Sequence, residues 1–244
     1  MKLLLVRHAE PDYSIDSLTP KGRREADLLA GRLSVLEGVE GWYVSPLGRA
    51  RDTAAPTMAR VGREAEVLPW LCEFRARPLD PVTGKPRCAW DYPPRLWTAH
   101  EPLRSYAHWT EDPLMQSGNV QTVWEETKAG VDALLARHGY VRDWPVYRCE
   151  NNRKGTIVCF CHFGIGSAIL AYLTGISPVV VWQNFCMQPS SVTTLITEER
   201  VKGEVVWRCM GYGDLSHLWA AGEPCSTAAL FAEVYDGIDT TEAR

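Results

Sequence analysis

Two short apolar runs in this chain end abruptly on basic side chains. Leu3–Val6 passes with no polar spacer into Arg7-His8, and Thr156–Cys161 passes straight into His162. Apolar runs of this length, bounded as these are, read as fully buried strands. A buried strand that ends on such groups delivers them to the rim of a sheet. In an open parallel sheet the rim beyond the carboxyl ends of the strands is where ligands bind. If the two strands are neighbours, two imidazoles and a guanidinium meet at one place. The fold that allows this has strands buried on both faces, with helices covering them.

The rest of the chain fits that frame. Leu18-Thr19-Pro20 precedes a run with Ala26, Leu29, Leu33 and Leu36 at helical spacing. Thr19 suits the N-cap and Pro20 the first helical position. Trp42–Val44 reads as a second strand, and Ser45-Pro46 repeats the cap-plus-proline start for another helix, which Pro56 is expected to kink or end. Val67–Leu68 reads as a short third strand. From Phe74 to about Gln116 the texture changes to Pro, Arg and Trp with no period, and this stretch reads as an irregular insertion. Val120, Val123, Trp124, Thr127, Val131, Leu134 and Leu135 then mark a long amphipathic helix that Gly139 stops. After the strand Thr156–Cys161 come a helix over Gly164–Leu173 and strands at Val192–Thr197 and Val205–Met210. A short helix is expected near Ala228–Val234. The alternation predicts one three-layer α/β/α domain over residues 1–244, with a mostly parallel sheet and a cap inserted at about residues 74–115.

Composition narrows the partners. The chain has 244 residues, 45% apolar and 23% charged, enough to bury a core without disulfides or metals as staples. Its formal net charge of −4 gives neither a basic footprint for nucleic acid nor a polybasic membrane tail. No apolar run approaches the roughly 18 residues of a membrane span, and the N-terminal one is too short for a signal peptide. A cytoplasmic protein is expected. None of the eight cysteines forms a C-x-x-C pair. Cys159 and Cys161 lie on one strand face and read as small buried hydrophobes, so no metal is expected.

The candidate chemistry lies in Arg7, His8, Arg49, Glu73 and His162. Arg49 falls near the start of the helix after Ser45-Pro46, where the helix N-terminus already favours an anion. Two arginines, two histidines and a helix start suit a phosphate dianion, each guanidinium offering a planar fork to its oxygens. The same positive surround depresses an imidazole pKa and leaves a neutral, nucleophilic ring. Glu73 is the candidate acid for a leaving alkoxide and, as carboxylate, the base for water. Gly164-Ile165-Gly166 lacks the third glycine of a dinucleotide fingerprint. Cys161 lacks the arginine six residues on that a cysteine phosphatase loop needs. Among the insertion's Trp90, Tyr92, Trp97, His100, His108 and Trp109, most are expected to form the core of the cap. Arg75, Arg77, Arg87, Arg95 and Arg104 are expected mostly on a solvated face. His138 needs only the helix dipole for a partner.

Taken together, Arg7-His8-Ala9-Glu10, Leu18-Thr19-Pro20-Lys21-Gly22, Ser45-Pro46-Leu47-Gly48-Arg49-Ala50-Arg51-Asp52-Thr53-Ala54 and Tyr212-Gly213-Asp214-Leu215-Ser216-His217-Leu218 resemble the histidine phosphatase superfamily, which is phosphoglycerate mutase-like. The resemblance implies phosphomonoester hydrolysis through a phosphohistidine at His8. Arg7, Arg49 and His162 would hold the phosphoryl group and Glu73 would move the proton. It implies no metal and no organic cofactor, and a small phosphorylated substrate. Ala9 stands where the family more often has Gly, and Ser14 stands where it often has a phosphate-pocket Asn, so Ser14 joins the expected phosphate ligands. His162-Phe163-Gly164 departs from the His-Gly-Asn of the mutases, and no paired arginines for a substrate carboxylate are found. Both departures favour a phosphatase over a mutase-type phosphotransferase. A catalytically weak phospho-ligand-binding protein is the alternative from another class. The sequence carries no signal for oligomeric state.

Overall fold

The structure, a computed structural model, describes residues 1–228, 230–231 and 233–234. In chain order the elements begin with β1 (Lys2–Arg7), a hairpin of β2 (Pro11–Asp12) and β3 (Ser17–Leu18), α1 (Pro20–Leu33), β4 (Val39–Val44), α2 (Gly48–Val61) and β5 (Glu66–Val67). The stretch that follows holds only the short helices α3 (Pro94–Thr98) and α4 (Pro113–Gln116) and the 3₁₀ turns Glu101–Arg104 and Trp109–Glu111. Then come α5 (Val120–Arg137), β6 (Val141–Asp143), β7 (Val146–Arg148), β8 (Thr156–Cys161), α6 (Phe163–Thr174), α7 (Pro178–Asn184), β9 (Val192–Val201), β10 (Glu204–Asp214) and α8 (Ser216–Ala221).

Among the described residues eight strands form one sheet in the order β5-β4-β8-β1-β9-β10-β7-β6. The half from β5 to β1 is parallel. The strands from β9 to β6 each run antiparallel to their neighbour and extend the other edge. The two histidine-bearing strands are direct neighbours in the parallel half, with Arg7 opposite Cys161.

Strand alternation sorts the core into two layers. Leu3 and Leu5 of β1, with Ile157, Cys159 and Cys161 of β8, pack toward α5, α6 and α7. Leu4 and Val6, with Val158 and Phe160, pack toward Leu29 and Leu33 of α1 and Ala50 and Ala54 of α2. All of β8 is buried, as a strand covered on both faces must be.

The helix starts differ in what caps them. Thr19 caps α1, its Oγ1 accepting from Gly22 N at 3.0 Å with Pro20 in the first turn. The expected second cap at Ser45 is not used that way: α2 begins at Gly48 after Leu47, with no side-chain cap. Nor does Pro56 end it. The helix runs on to Val61 because its buried face (Ala50, Thr53, Ala54, Thr57) spans both sides of the proline, and packing outweighs propensity. The short third strand sits one residue earlier than expected, at Glu66–Val67. Gly139, at φ +88°, follows the end of α5.

The insertion's aromatic residues do not form a separate small core. Tyr92, Leu103 and Trp109 are buried within the layer on the α5–α6 side. The Trp109 ring lies 5.5 Å from Trp124 and 5.6 Å from Trp182. Trp90 stands 5.9 Å from Phe163 and 6.0 Å from Trp182. His108 is exposed beside Glu111, and His100 pairs with Asp112. Arg87 is not on a solvated face: it is buried and paired with Asp80 at 2.9 Å. His138 has more than a helix dipole for company, with Tyr43 Oη 2.9 Å from its Nε2. The helix expected near Ala228–Val234 falls partly outside the described residues, and the described ones there form turns and bends. Among the described residues no helix is long and apolar enough to cross a membrane.

Candidate active site

Register brings the site together. Because Arg7 pairs with Cys161, the next residues, His8 and His162, leave adjacent strand ends side by side. Their rings are 5.1 Å apart, centroid to centroid. On the far side of β8, Val44 pairs with Phe160, so Ser45 emerges at the same rim. His8 N donates to Cys161 O at 2.9 Å and Ser45 N to Phe160 O at 2.9 Å, continuing the ladder through the turn.

Both histidines are almost wholly removed from solvent, His8 at 2% and His162 at 0% exposure. Burial pushes the His8 pKa well below the ordinary histidine range, and the positive charge of Arg7, then of Arg49, lowers it further. His162 is lowered in the same direction by burial and by His8, Arg49 and Arg7. Both rings are therefore neutral near pH 7. His8 Nδ1 lies 2.8 Å from the carbonyl of Ala9. A carbonyl only accepts, so Nδ1 carries the proton and donates, and Nε2 keeps its lone pair. Ala9 keeps a negative φ, so the side chain where glycine is commoner causes no strain. Its N–H donates to Thr53 Oγ1 at 2.9 Å, and that hydroxyl donates to Arg49 O at 2.7 Å. Thr53 thus ties the histidine turn to the first turn of α2.

The guanidiniums are held from two directions. Arg7 Nη1 donates to Met187 O, and its guanidinium lies 5.6 Å over the Phe163 ring. Arg49 Nη1 bonds Asp16 Oδ1 at 2.5 Å, with Tyr13 5.4 Å beneath the guanidinium. Asp16 Oδ2 also accepts from Gly48 N at 2.7 Å. This close approach needs glycine, since a Cβ at position 48 would sit 2.1 Å from Asp16 O.

Glu73 lies against the start of α6. Its Oε1 accepts from Ile165 N at 3.0 Å and from Phe74 N at 2.7 Å. Burial raises its pKa above the usual carboxylate range, opposed by those backbone donors and by Arg7. A carboxyl held this way is more readily protonated than a free glutamate.

Ser14 does not join the group. It is exposed in the turn between β2 and β3, and its hydroxyl donates to Asp12 Oδ1 at 2.5 Å. The residue of that turn that reaches the site is Asp16, through Arg49. Sequence reasoning missed Asp16, Thr53 and Ser45. Ser45 carried a signal that pointed elsewhere, to a helix cap. Asp16 carried none, since its role depends on the turn folding onto α2. Among the described residues no group of three or more His, Cys, Asp or Glu side chains is placed to hold a metal.

Fold and site together define an α/β protein with two buried, neutral histidines at adjacent strand ends and the guanidiniums of Arg7 and Arg49 beside them. The model of the histidine phosphatase superfamily (branch 1) matches residues 3–209, and the chain belongs to that family, a class of enzymes that hydrolyse phosphate esters. Among solved structures, a mycobacterial glucosyl-3-phosphoglycerate phosphatase superposes with a TM-score of 0.59 at 22% identity, covering 87% of this chain and 98% of that one. A phosphoserine phosphatase from Entamoeba histolytica, solved with phosphoserine, gives 0.58 at 22% identity, covering 89% and 98%. The same enzyme with 3-phosphoglyceric acid gives 0.56 at 19% identity, covering 89% and 98%. No curated protein matches the chain.

Proposed function

We propose that this chain hydrolyses a small phosphomonoester through a covalent phosphohistidine. The observation that carries the reading is the buried, neutral His8–His162 pair with Arg7 and Arg49 beside it. His8 Nε2 attacks phosphorus, the N–P bond forms, and the P–O bond to the leaving group breaks. Glu73 gives its proton to the departing oxygen. Arg7, Arg49 and His162 stabilise the charge spread over the equatorial oxygens. In the second step the Glu73 carboxylate takes a proton from water, whose oxygen displaces His8 and releases phosphate. The neighbours named for glucosyl-3-phosphoglycerate and phosphoserine support a small phosphorylated metabolite as substrate. Eight unpaired thiols support a reducing, cytoplasmic setting.

The test is turnover of an aryl phosphate by wild type and by His8→Ala, with acid-labile ³²P followed on the protein. Loss of both signals in the variant is expected. Equal turnover in the two proteins refutes the reading. Conversion of a phosphoglycerate to its isomer, with no free phosphate, would instead identify a phosphotransferase.

A further inference from the structure

The proposed reaction assigns His162 to the phosphoryl group without saying which of its nitrogens faces it. Ser45 answers that. Its hydroxyl lies 2.7 Å from His162 Nε2, with both residues at 0% exposure. The same oxygen accepts from Leu47 N at 3.2 Å. Backbone N–H groups only donate, so the Leu47 bond uses a lone pair of the serine oxygen. Among the described residues the hydroxyl hydrogen is left with one acceptor in reach, His162 Nε2.

Were Nε2 protonated instead, Ser45 Oγ would accept twice, and two buried groups would lack a partner, its own hydrogen and the His162 Nδ1 lone pair, whereas the Nδ1–H form leaves Nδ1–H alone unpaired. One more buried polar group left unsatisfied is costly enough to decide between tautomers that are otherwise near in energy. We infer that Ser45 is a positioning residue: it donates to His162 Nε2 and fixes the ring as the Nδ1–H tautomer. His162 Nδ1 is buried, and no group among the described residues is its hydrogen-bond partner. Ser45 follows the end of β4, and His8 the end of β1, on opposite sides of β8. The unpartnered Nδ1–H is therefore the nitrogen left to donate to a phosphoryl oxygen. The two histidines then play complementary parts: each carries its proton on Nδ1, but His8 spends that proton on Ala9 O and attacks with Nε2, while His162 donates with Nδ1. The orphaned Nδ1–H is a buried donor in place before substrate arrives.

The inference rests on the proposed hydrolysis for its catalytic meaning, but its first test does not. ¹⁵N NMR of histidine-labelled wild type, with His162 assigned by its loss in His162→Gln, reports the tautomer directly. A pyridine-like Nε2 and a pyrrole-like Nδ1 are expected. The reverse pattern overturns the inference whether or not the enzyme turns over. In Ser45→Ala the Nε2–H form should become populated. kcat should fall by about 10- to 100-fold with KM changed less than about threefold, the pattern for a donor lost in the transition state. Wild-type kcat in a folded Ser45→Ala also overturns it. Should that variant fail to fold, the wild-type spectrum still decides. Failure of His8→Ala to abolish turnover would strike the proposed function and leave the tautomer standing.

Discussion

Gly164→Ala separates the chemistry of Glu73 from the stability of the fold. Gly164 is the second residue of α6 and has no positive φ, so the backbone accepts alanine, and helix propensity favours it by about 1 kcal/mol. The space does not accept it. The new Cβ would lie 2.3 Å from Trp90 Cζ3 and 2.7 Å from Glu73 Oε1. Ordinary carbon contacts begin near about 3.5 Å, so the Trp90 ring must retreat by roughly 1.2 Å. That ring is hemmed in by Phe163 and Trp182, and its carbonyl is held by Gln183 Nε2 at 2.9 Å. Overpacking of this kind costs about 1–3 kcal/mol. Set against the propensity gain, net destabilisation is about 0–2 kcal/mol, or at most about 8 °C in Tm for a chain this long.

Activity should suffer more than stability. The Glu73 carboxyl has to shift by about 0.5 Å to restore normal contact with the methyl, which strains its bonds from Ile165 N and Phe74 N. A misplaced general acid forfeits much of the roughly 10²- to 10⁴-fold that such a group contributes. The assay is kcat/KM on two substrates, an alkyl phosphate and an aryl phosphate whose leaving group is already a stable anion. The alkyl phosphate needs the proton and should lose at least about tenfold more than the aryl one. Equal losses on both substrates, or none on either with the fold intact, would refute the role given to Glu73.

Two further outcomes concern pH. Protonated Glu73 is needed for the first step and neutral His8 for attack. kcat/KM on an alkyl phosphate should therefore fall as pH rises through the elevated Glu73 pKa and fall again as pH drops through the depressed His8 pKa. Its acid limb should lie below the ordinary histidine value of about 6.5; a limb at or above that value contradicts the burial argument. Glu25, buried with Oε1 lacking a partner, has its carboxyl pushed up to about 7 by burial. A raised folded pKa favours the protonated form, so this contribution is present below the unfolded value and lost as pH rises through about 7. The loss approaches about 3 kcal/mol. Glu25→Gln should then gain Tm over wild type at pH 8 relative to pH 5, and parallel Tm–pH curves for the two proteins would rule the effect out.

The legible part of this protein was written in local pattern. Apolar runs that stop on Arg7-His8 and on His162 forced buried strands with basic ends. Thr19-Pro20 marked a helix start because cap and proline act within one turn. The period of Val120–Leu135 marked a helix because one face repeats every few residues. Where Ser45, Asp16, Ser14 and Pro56 were concerned, local pattern misled or fell silent. Ser45-Pro46 has the chemistry of a cap, yet its hydroxyl lies nearer to a histidine 117 residues away than to any helical N–H. Ser14 stood at a plausible distance along the chain, but a turn onto Asp12 claimed its hydroxyl and left Asp16 to meet Arg49. The insertion's aromatics gave no period because they pack across to Trp124 and Trp182, not along an element of their own.

Residue types and the strands that carry them were thus settled by the sequence alone, since hydrophobic periodicity and capping act over a few residues. Tertiary structure decided strand order, register and the tautomers of two buried rings. Those depend on which distant groups exclude water together, and a linear pattern holds no record of that.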